Sequence, residues 1–227
     1  MKLYCIDTGS KGNCYILENT KGRKLMLECG LPVRDITSHK SFTSWGDIDA
    51  VLVTHEHKDH SLSMEKLEDY GLNIISYINT NNRQLIKIGD WKIIAFEGKH
   101  DCKVLGFIIL DTIEGKSVAY ATDTVSLPIL PNINYWLVEC NYDREFVENE
   151  LLRLVTADGQ DRSYYFHQLM DRHLSIQYLA EYFSKDKISK PDKIITCHLG
   201  NCFWKTIEKH LKDYDLEIAK KGGVYSL

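Results

Sequence analysis

The sequence has no excess of positive charge. Its 28 Lys and Arg stand against 32 Asp and Glu, a formal net charge of −4, with an isoelectric point near 6.1. That balance argues against the broad basic surface with which a duplex-binding protein displaces counterions, and leaves room for a small anionic substrate or a locally basic cleft. No stretch is apolar over a membrane-spanning length. The opening MKLYCIDTGS lacks the charged segment, apolar run and small-residue cleavage site of a secretory signal. A cytoplasmic location is therefore expected. The 7 cysteines are odd in number, scattered and without a CxxC pair, which fits reduced thiols better than disulfides or a structural zinc clip. Most should be reduced core residues. No linker, low-complexity stretch or repeat divides the chain, so one domain over residues 1–227 is expected, and 44% hydrophobic content is ample for its core.

Turn signals and β-rich runs alternate along the first third. Lys2 to Thr8, Cys14 to Glu18 and Lys24 to Cys29 read as an antiparallel meander, separated by Gly-Ser-Lys-Gly-Asn and Asn-Thr-Lys-Gly. After Pro32 a short helix is expected to about His39, and Ile48 to Val53 reads as a buried strand running into His55. A helix over Ser63 to Tyr70 follows. Strands are then expected at Ile74 to Tyr77, Leu85 to Ile88, Trp91 to Phe96, Gly106 to Asp111, Ser117 to Ala121 and Tyr135 to Glu139, with Glu114-Gly115 as a hairpin turn. Arg144 to Val155 reads as a helix, and Ile176, Leu179, Ala180 and Phe183 share one helical face. Lys193 to Cys197 is a strand, Phe203, Ile207 and Leu211 mark a late helix, and Gly223 to Ser226 is the last strand. Thr156 to Arg172 is the least regular part and fits a loop, a lid or an interface. Two β-rich blocks with flanking helices imply an α/β chain of two face-to-face sheets in four αββα layers.

The strongest chemical signal is Thr54-His55-Glu56-His57-Lys58-Asp59-His60, directly after an apolar strand. Histidines one residue apart at a strand end can converge on one ion, while the next Asp and His turn toward a neighbouring position. Imidazole with carboxylate suits zinc, and also manganese or iron. This run resembles the HxHxDH motif of the metallo-β-lactamase superfamily, and the resemblance extends over nearly the whole chain. It implies two divalent metals: His55, His57 and His100 on the first, Asp59, His60 and His198 on the second, and Asp123 between them. Glu28 stands where related proteins usually carry Asp. His39, His167 and His210 are expected to be structural or exposed.

Two divalent ions about 3.5–4 Å apart can polarise a phosphoryl oxygen and lower the pKa of a bound water toward neutrality. Asp59 could orient that water, but a departing alkoxide still needs a proton. Glu139 ends the strand Tyr135-Trp136-Leu137-Val138, and His173 precedes an amphipathic helix; a carboxylate that keeps an imidazole protonated makes a general acid. Val-Glu-Cys-Asn-Tyr-Asp followed by His-Leu-Ser resembles the Glu and His pair of the RNase Z-like branch, which includes YycJ-type nucleases and anti-Pycsar cyclic-nucleotide phosphodiesterases. Arg172 departs from this branch, which often has Gly there. The Gly9–Asn13 turn also resembles the branch, although a tight hairpin explains it equally. Lys11 and Lys58 are either phosphate contacts or ordinary surface lysines.

The resemblance implies a metallohydrolase that opens cyclic mononucleotides such as cyclic CMP or UMP, an activity by which a phage could disarm nucleotide signalling in its host's cytosol. Compact size, acidic balance and the lack of an RNase Z-type nucleic-acid-binding arm point that way. The alternative is a YycJ-like DNA exonuclease or RNA-processing nuclease. Lactamase or glyoxalase-type hydrolysis and a purely metal-stabilised binding protein rank lower, given the bridging Asp123 and the acid pair. The Tyr164-Tyr165-Phe166 run is a candidate wall for a base or a partner contact, and a homodimer is expected.

Overall fold

The computed structural model describes residues 1–155, 160–200, 203–214 and 216–227. Its first half contains β1 (Lys2–Asp7), β2 (Cys14–Glu18), β3 (Lys24–Leu27), α1 (Val33–Thr37), β4 (Ile48–Val53), α2 (Lys58–Ser61), α3 (Met64–Asp69) and β5 (Ile74–Ser76). Next come β6 (Leu85–Ile88), β7 (Trp91–Glu97), β8 (Leu105–Asp111), β9 (Lys116–Ala121) and β10 (Tyr135–Glu139). The remainder is α4 (Arg144–Val155), α5 (Gln160–Met170), α6 (Ile176–Phe183), β11 (Lys193–Cys197), α7 (Trp204–Tyr214), β12 (Glu217–Ile218) and β13 (Val224–Ser226).

The strands form two mixed sheets, ordered β13-β1-β2-β3-β4-β5 and β12-β11-β10-β9-β8-β7-β6. The expected meander of β1, β2 and β3 is antiparallel, and β4 and β5 then join in parallel. In the second sheet β9 to β12 are parallel, while β6 to β9 run up and down.

The two-residue period of the strands sorts their side chains into three cores. In β4, Ala50 and Leu52 enter the central core while Val51 and Val53 enter an outer one with Leu67 of α3. In β10, Leu137 points to the centre, and Trp136 and Val138 pack with Leu179 and Tyr182 of α6. Both faces of these strands are buried, which is why they read as continuous apolar runs. Helices thus cover the outside of each sheet, giving the αββα sandwich.

The topology brings one set of strand ends together. β4, β9, β10 and β11 end at Val53, Ala121, Glu139 and Cys197, each at or within two residues of a candidate site residue, and β7 runs parallel to β9 toward His100. Strand β3 stops at Leu27, short of the expected Cys29: the Glu28 N–H still donates to the Leu52 carbonyl at 2.9 Å, but its φ of 63° turns the chain out of the extended conformation. The stretch expected to be irregular is helical from Gln160 to Met170, where Phe166 and Leu169 fall three apart and are buried. Residues 156–159 and the side chain of Leu211 lie outside the described residues. Among the described residues no helix is long and apolar enough to cross a membrane.

Candidate metal centre

His55 follows β4 after Thr54 and is fully buried, with Nδ1 2.9 Å from Thr54 Oγ1. The chain then turns through His57 into α2, which carries Asp59 and His60 back under the strand end. This loop is pinned from two sides. Asn13 in the β1–β2 turn receives one tie, its backbone N–H donating to the Asp59 carbonyl at 2.7 Å. Gly30 forms the other: a Cβ there would lie 1.7 Å from the Asp59 carbonyl oxygen and 2.1 Å from its carbon. Only glycine lets the backbones approach this closely.

Asp123 and His198 come from the ends of β9 and β11. Both take left-handed backbone conformations, φ 49° and 50°, as Glu28 does. Such conformations cost about 1–3 kcal/mol each and are retained where a side chain must be aimed. The aim is mutual. Asp123 Oδ2 lies 3.3 Å from His55 Nε2 and 3.2 Å from His60 Nε2, and its Oδ1 lies 3.3 Å from His198 Nδ1. Asp59 Oδ2 is 3.2 Å from His60 Nε2 and 3.3 Å from His198 Nε2. His100 Nε2 lies 3.4 Å from His57 Nδ1 and 4.0 Å from Asp123 Oδ2.

Two groupings of potential ligand atoms result: His55, His57 and His100, joined by Cys102, and Asp59, His60, Asp123 and His198. The structure thus brings His55, His57 and His100 together, and Asp59, His60 and His198 together, with Asp123 in the second group and 3.3 Å from His55 of the first. Cys102 lies outside the residues that the motif marks and is a partly exposed cysteine, its Sγ 4.0 Å from His57 Nε2. Burial first, then the Asp101 charge, push its thiol up to about 11, so it is neutral. A third grouping of Asp123, Glu139, His173 and His198 overlaps the second.

The donor set fits metal ions. Nε2 of His55 is buried without a hydrogen-bond partner, and a buried polar atom left so is costly unless a cation satisfies it. His100 Nδ1 lies 3.1 Å from the Arg172 carbonyl oxygen, which can only accept, so Nδ1 carries the proton and Nε2 offers its lone pair. At His60, Nδ1 faces Glu28 Oε1 at 3.5 Å, leaving Nε2 toward the carboxylates. Glu28 thus stands behind the metal loop with its longer side chain, and Oε2 also accepts from the Thr54 N–H at 3.2 Å.

The electrostatics follow from these contacts. Burial opposes ionisation of Asp59, but the imidazoles of His198 and His60 outweigh it and hold the carboxyl far below its usual range. Asp123 is held low in the same way by His198 and His60. His60, whose charging is resisted by burial, is raised well above the ordinary imidazole value by Asp123, Asp59 and Glu28. Burial dominates at His100 and lowers it to about 4.

Glu139 and His173 stand beside this cluster. Glu139 is fully buried; Oε1 accepts from the backbone N–H groups of Thr124 and Leu174 at 2.7 and 3.2 Å, and Oε2 lies 2.9 Å from His173 Nδ1. Burial works against the charged imidazole, yet the Glu139 charge and hydrogen bond raise His173 above its ordinary value. The ring sits between the two groups, its centroid 5.7 Å from that of His100 and 5.6 Å from that of His198. Ser175 caps α6 by accepting from the Tyr178 N–H, so the cap and the Glu139 contact coexist. Asn141 is a further contributor that the motif reading passed over: Nδ2 donates to the His198 carbonyl at 3.1 Å and lies 3.1 Å from its Nδ1. Its proximity to Glu139 in the chain was the available signal.

The two-sheet αββα sandwich is the metallo-β-lactamase fold. The family model for the metallo-β-lactamase superfamily matches residues 7–98. The exodeoxyribonuclease WalJ of Streptococcus pneumoniae is 29% identical over 177 residues, 65% of this chain and 65% of that protein. Ribonuclease Z of Methanopyrus kandleri is 25% identical over 119 residues, covering 41% of this chain and 42% of that one. The match thus spans under two thirds of either relative. Among solved structures, the metallo-β-lactamase fold protein YhfI from Bacillus subtilis superimposes with a TM-score of 0.73 at 16% identity, covering 99% of this chain and 98% of that one.

Proposed function

We propose that this chain is a two-metal phosphodiesterase in which Glu139 and His173 protonate the leaving oxygen. The observation that carries the reading is the 2.9 Å contact between buried Glu139 and His173, with His173 packed between the two ligand groups. Hydrolysis of a phosphodiester expels an alkoxide, which departs poorly without a proton. In this reading His55, His57 and His100 hold one ion, Asp59, His60 and His198 the other, and Asp123 lies between them. Two divalent ions there, with zinc expected from the imidazole and carboxylate donors, would polarise the phosphoryl group and supply a nucleophilic water at neutral pH. Asp59 stays ionised throughout the working range, as a metal ligand and water-orienting group requires.

Two substrate forms suit this chemistry. The end of a DNA or RNA strand is favoured by the sequence likeness to an exodeoxyribonuclease and a ribonuclease. A cyclic mononucleotide, and with it a role in evading nucleotide signalling, is favoured by the net charge of −4, which disfavours long polyanions. We rank the strand end first, because likeness along the chain speaks more directly than overall charge. The test is metal-loaded protein incubated separately with single-stranded and duplex DNA, structured RNA, and cyclic CMP, UMP and AMP, with products separated by chromatography. Shortened polymers are expected. Opening of the cyclic nucleotides alone would replace the first form by the second, and cleavage of neither would refute the phosphodiesterase reading.

A homodimer belongs to this proposal. On α5, Tyr164 is 67% exposed while Phe166 is buried, so the Tyr164 ring presents an aromatic surface that a second copy could cover. Light scattering should give twice the chain mass; a monomer with full activity would remove the dimer from the account.

A further inference from the structure

Arg172, the residue at which this chain departs from the pattern it resembles, is tied to the candidate centre twice. Its carbonyl oxygen accepts from His100 Nδ1 at 3.1 Å. Its guanidinium meets Asp101, one Nη lying 3.2 Å from Oδ2. The other oxygen of Asp101 lies 3.1 Å from His100 Nε2 and 3.4 Å from His57 Nε2. The cation is therefore one carboxylate away from two histidines of the first group, and its residue immediately precedes His173.

The manner of the contact matters. An arginine that serves only to neutralise a carboxylate commonly meets it with two parallel N–H groups. Here a single nitrogen is engaged, the side chain is 37% exposed, and Nε and the other Nη have no partner among the described residues. The planar fork left open matches two oxygens of a phosphate. The centre beside it carries Asp59, Asp123 and Glu139, and Asp101 borders it, carboxylates that would repel an anion met by no compensating cation.

We propose that Arg172 binds a phosphate group of the substrate, with Asp101 holding the guanidinium at the mouth of the centre until substrate arrives. This rests on the phosphodiesterase reading and deepens it, by assigning recognition of the phosphate to a residue that is not a metal ligand. It also couples recognition to chemistry, since the segment that carries the guanidinium carries the His173 imidazole next to it.

The experiment compares metal-loaded parent, Arg172→Met and Arg172→Lys. Affinity for inorganic phosphate is measured by calorimetry, KM and kcat with bis(p-nitrophenyl) phosphate, and metal content by elemental analysis. Loss of a charge-assisted contact should weaken phosphate binding in the Met variant by roughly ten- to a hundredfold. KM should rise more than kcat falls, and metal content should hold. The Lys variant keeps the charge without the fork and should fall between the other two; it carries the test should the Met variant fail to fold. Phosphate bound by both variants as tightly as by the parent would overturn the proposal. So would loss of metal in either, which would make Arg172 a support of the centre acting through Asp101. A parent that binds phosphate through Arg172 but cuts no phosphodiester would instead refute the reading beneath it.

Discussion

Replacing Glu139 by Gln offers a sharp perturbation of the proposed acid. Oε1 accepts from two backbone N–H groups and Oε2 faces His173 Nδ1. A glutamine has one oxygen, which the two backbone donors would claim, so its amide NH2 would turn toward Nδ1. The imidazole must then offer a lone pair there and becomes a neutral ring with its proton on Nε2, a far weaker acid than the imidazolium. General acid catalysis contributes about 10²–10⁴-fold, so kcat should drop by that factor on substrates with a sugar hydroxyl as leaving group. With a p-nitrophenyl phosphodiester, whose leaving group departs without protonation, the loss should be only a few-fold. His173→Ala should show the same split with its metal intact. The pH profile supplies the sign: Glu139 raises His173 above the ordinary imidazole value, so the acid is protonated below that raised pKa and activity fades as pH climbs through it. In the Gln variant this basic limb should move to lower pH. Equal losses on both leaving groups, or metal lost from His173→Ala, would refute the reasoning and make His173 a ligand of the third grouping.

Further outcomes follow from the same geometry. His57→Ala should lower both metal content and turnover, measured together by elemental analysis and phosphodiester cleavage. Gly30→Ala places a methyl group against the Asp59 backbone and should displace the metal loop, reducing metal affinity even at temperatures where circular dichroism reports a folded chain. Leu52→Ala, in the fully buried central core, should cost about 2–5 kcal/mol in denaturant unfolding. His60 carries a proton that a metal must displace, so zinc affinity measured by competition should weaken about tenfold for each pH unit below its raised pKa, per proton released. A pH-independent affinity would contradict that contact set.

Much of this was legible in the chain. The strand before His55 and those ending at Glu139 and Cys197 are continuous apolar runs bounded by polar residues, and their limits match the sequence expectation because both faces are buried. The motif at residues 55–60 announced itself by density of donors. What the pattern did not disclose depends on tertiary contacts. The left turn at Glu28 that ends β3 early exists because that side chain reaches His60 and Thr54. Helix α5 hides its apolar pair, Phe166 and Leu169, among polar and tyrosine residues. Asp101 and Arg172 are distant in sequence, and nothing local in either predicts their meeting beside His57 and His100. The convergence of His100, Asp123 and His198 was expected from resemblance; the physical reason for it is the shared edge at which β7, β9 and β11 end.

The proposed phosphodiesterase is built on two metal positions. Its most direct test is phosphodiester cleavage by chelator-treated protein as zinc is added back in known equivalents. Activity should be absent without metal and reach its plateau at two equivalents per chain. A plateau at one equivalent, or no cleavage at any loading, would contradict the account.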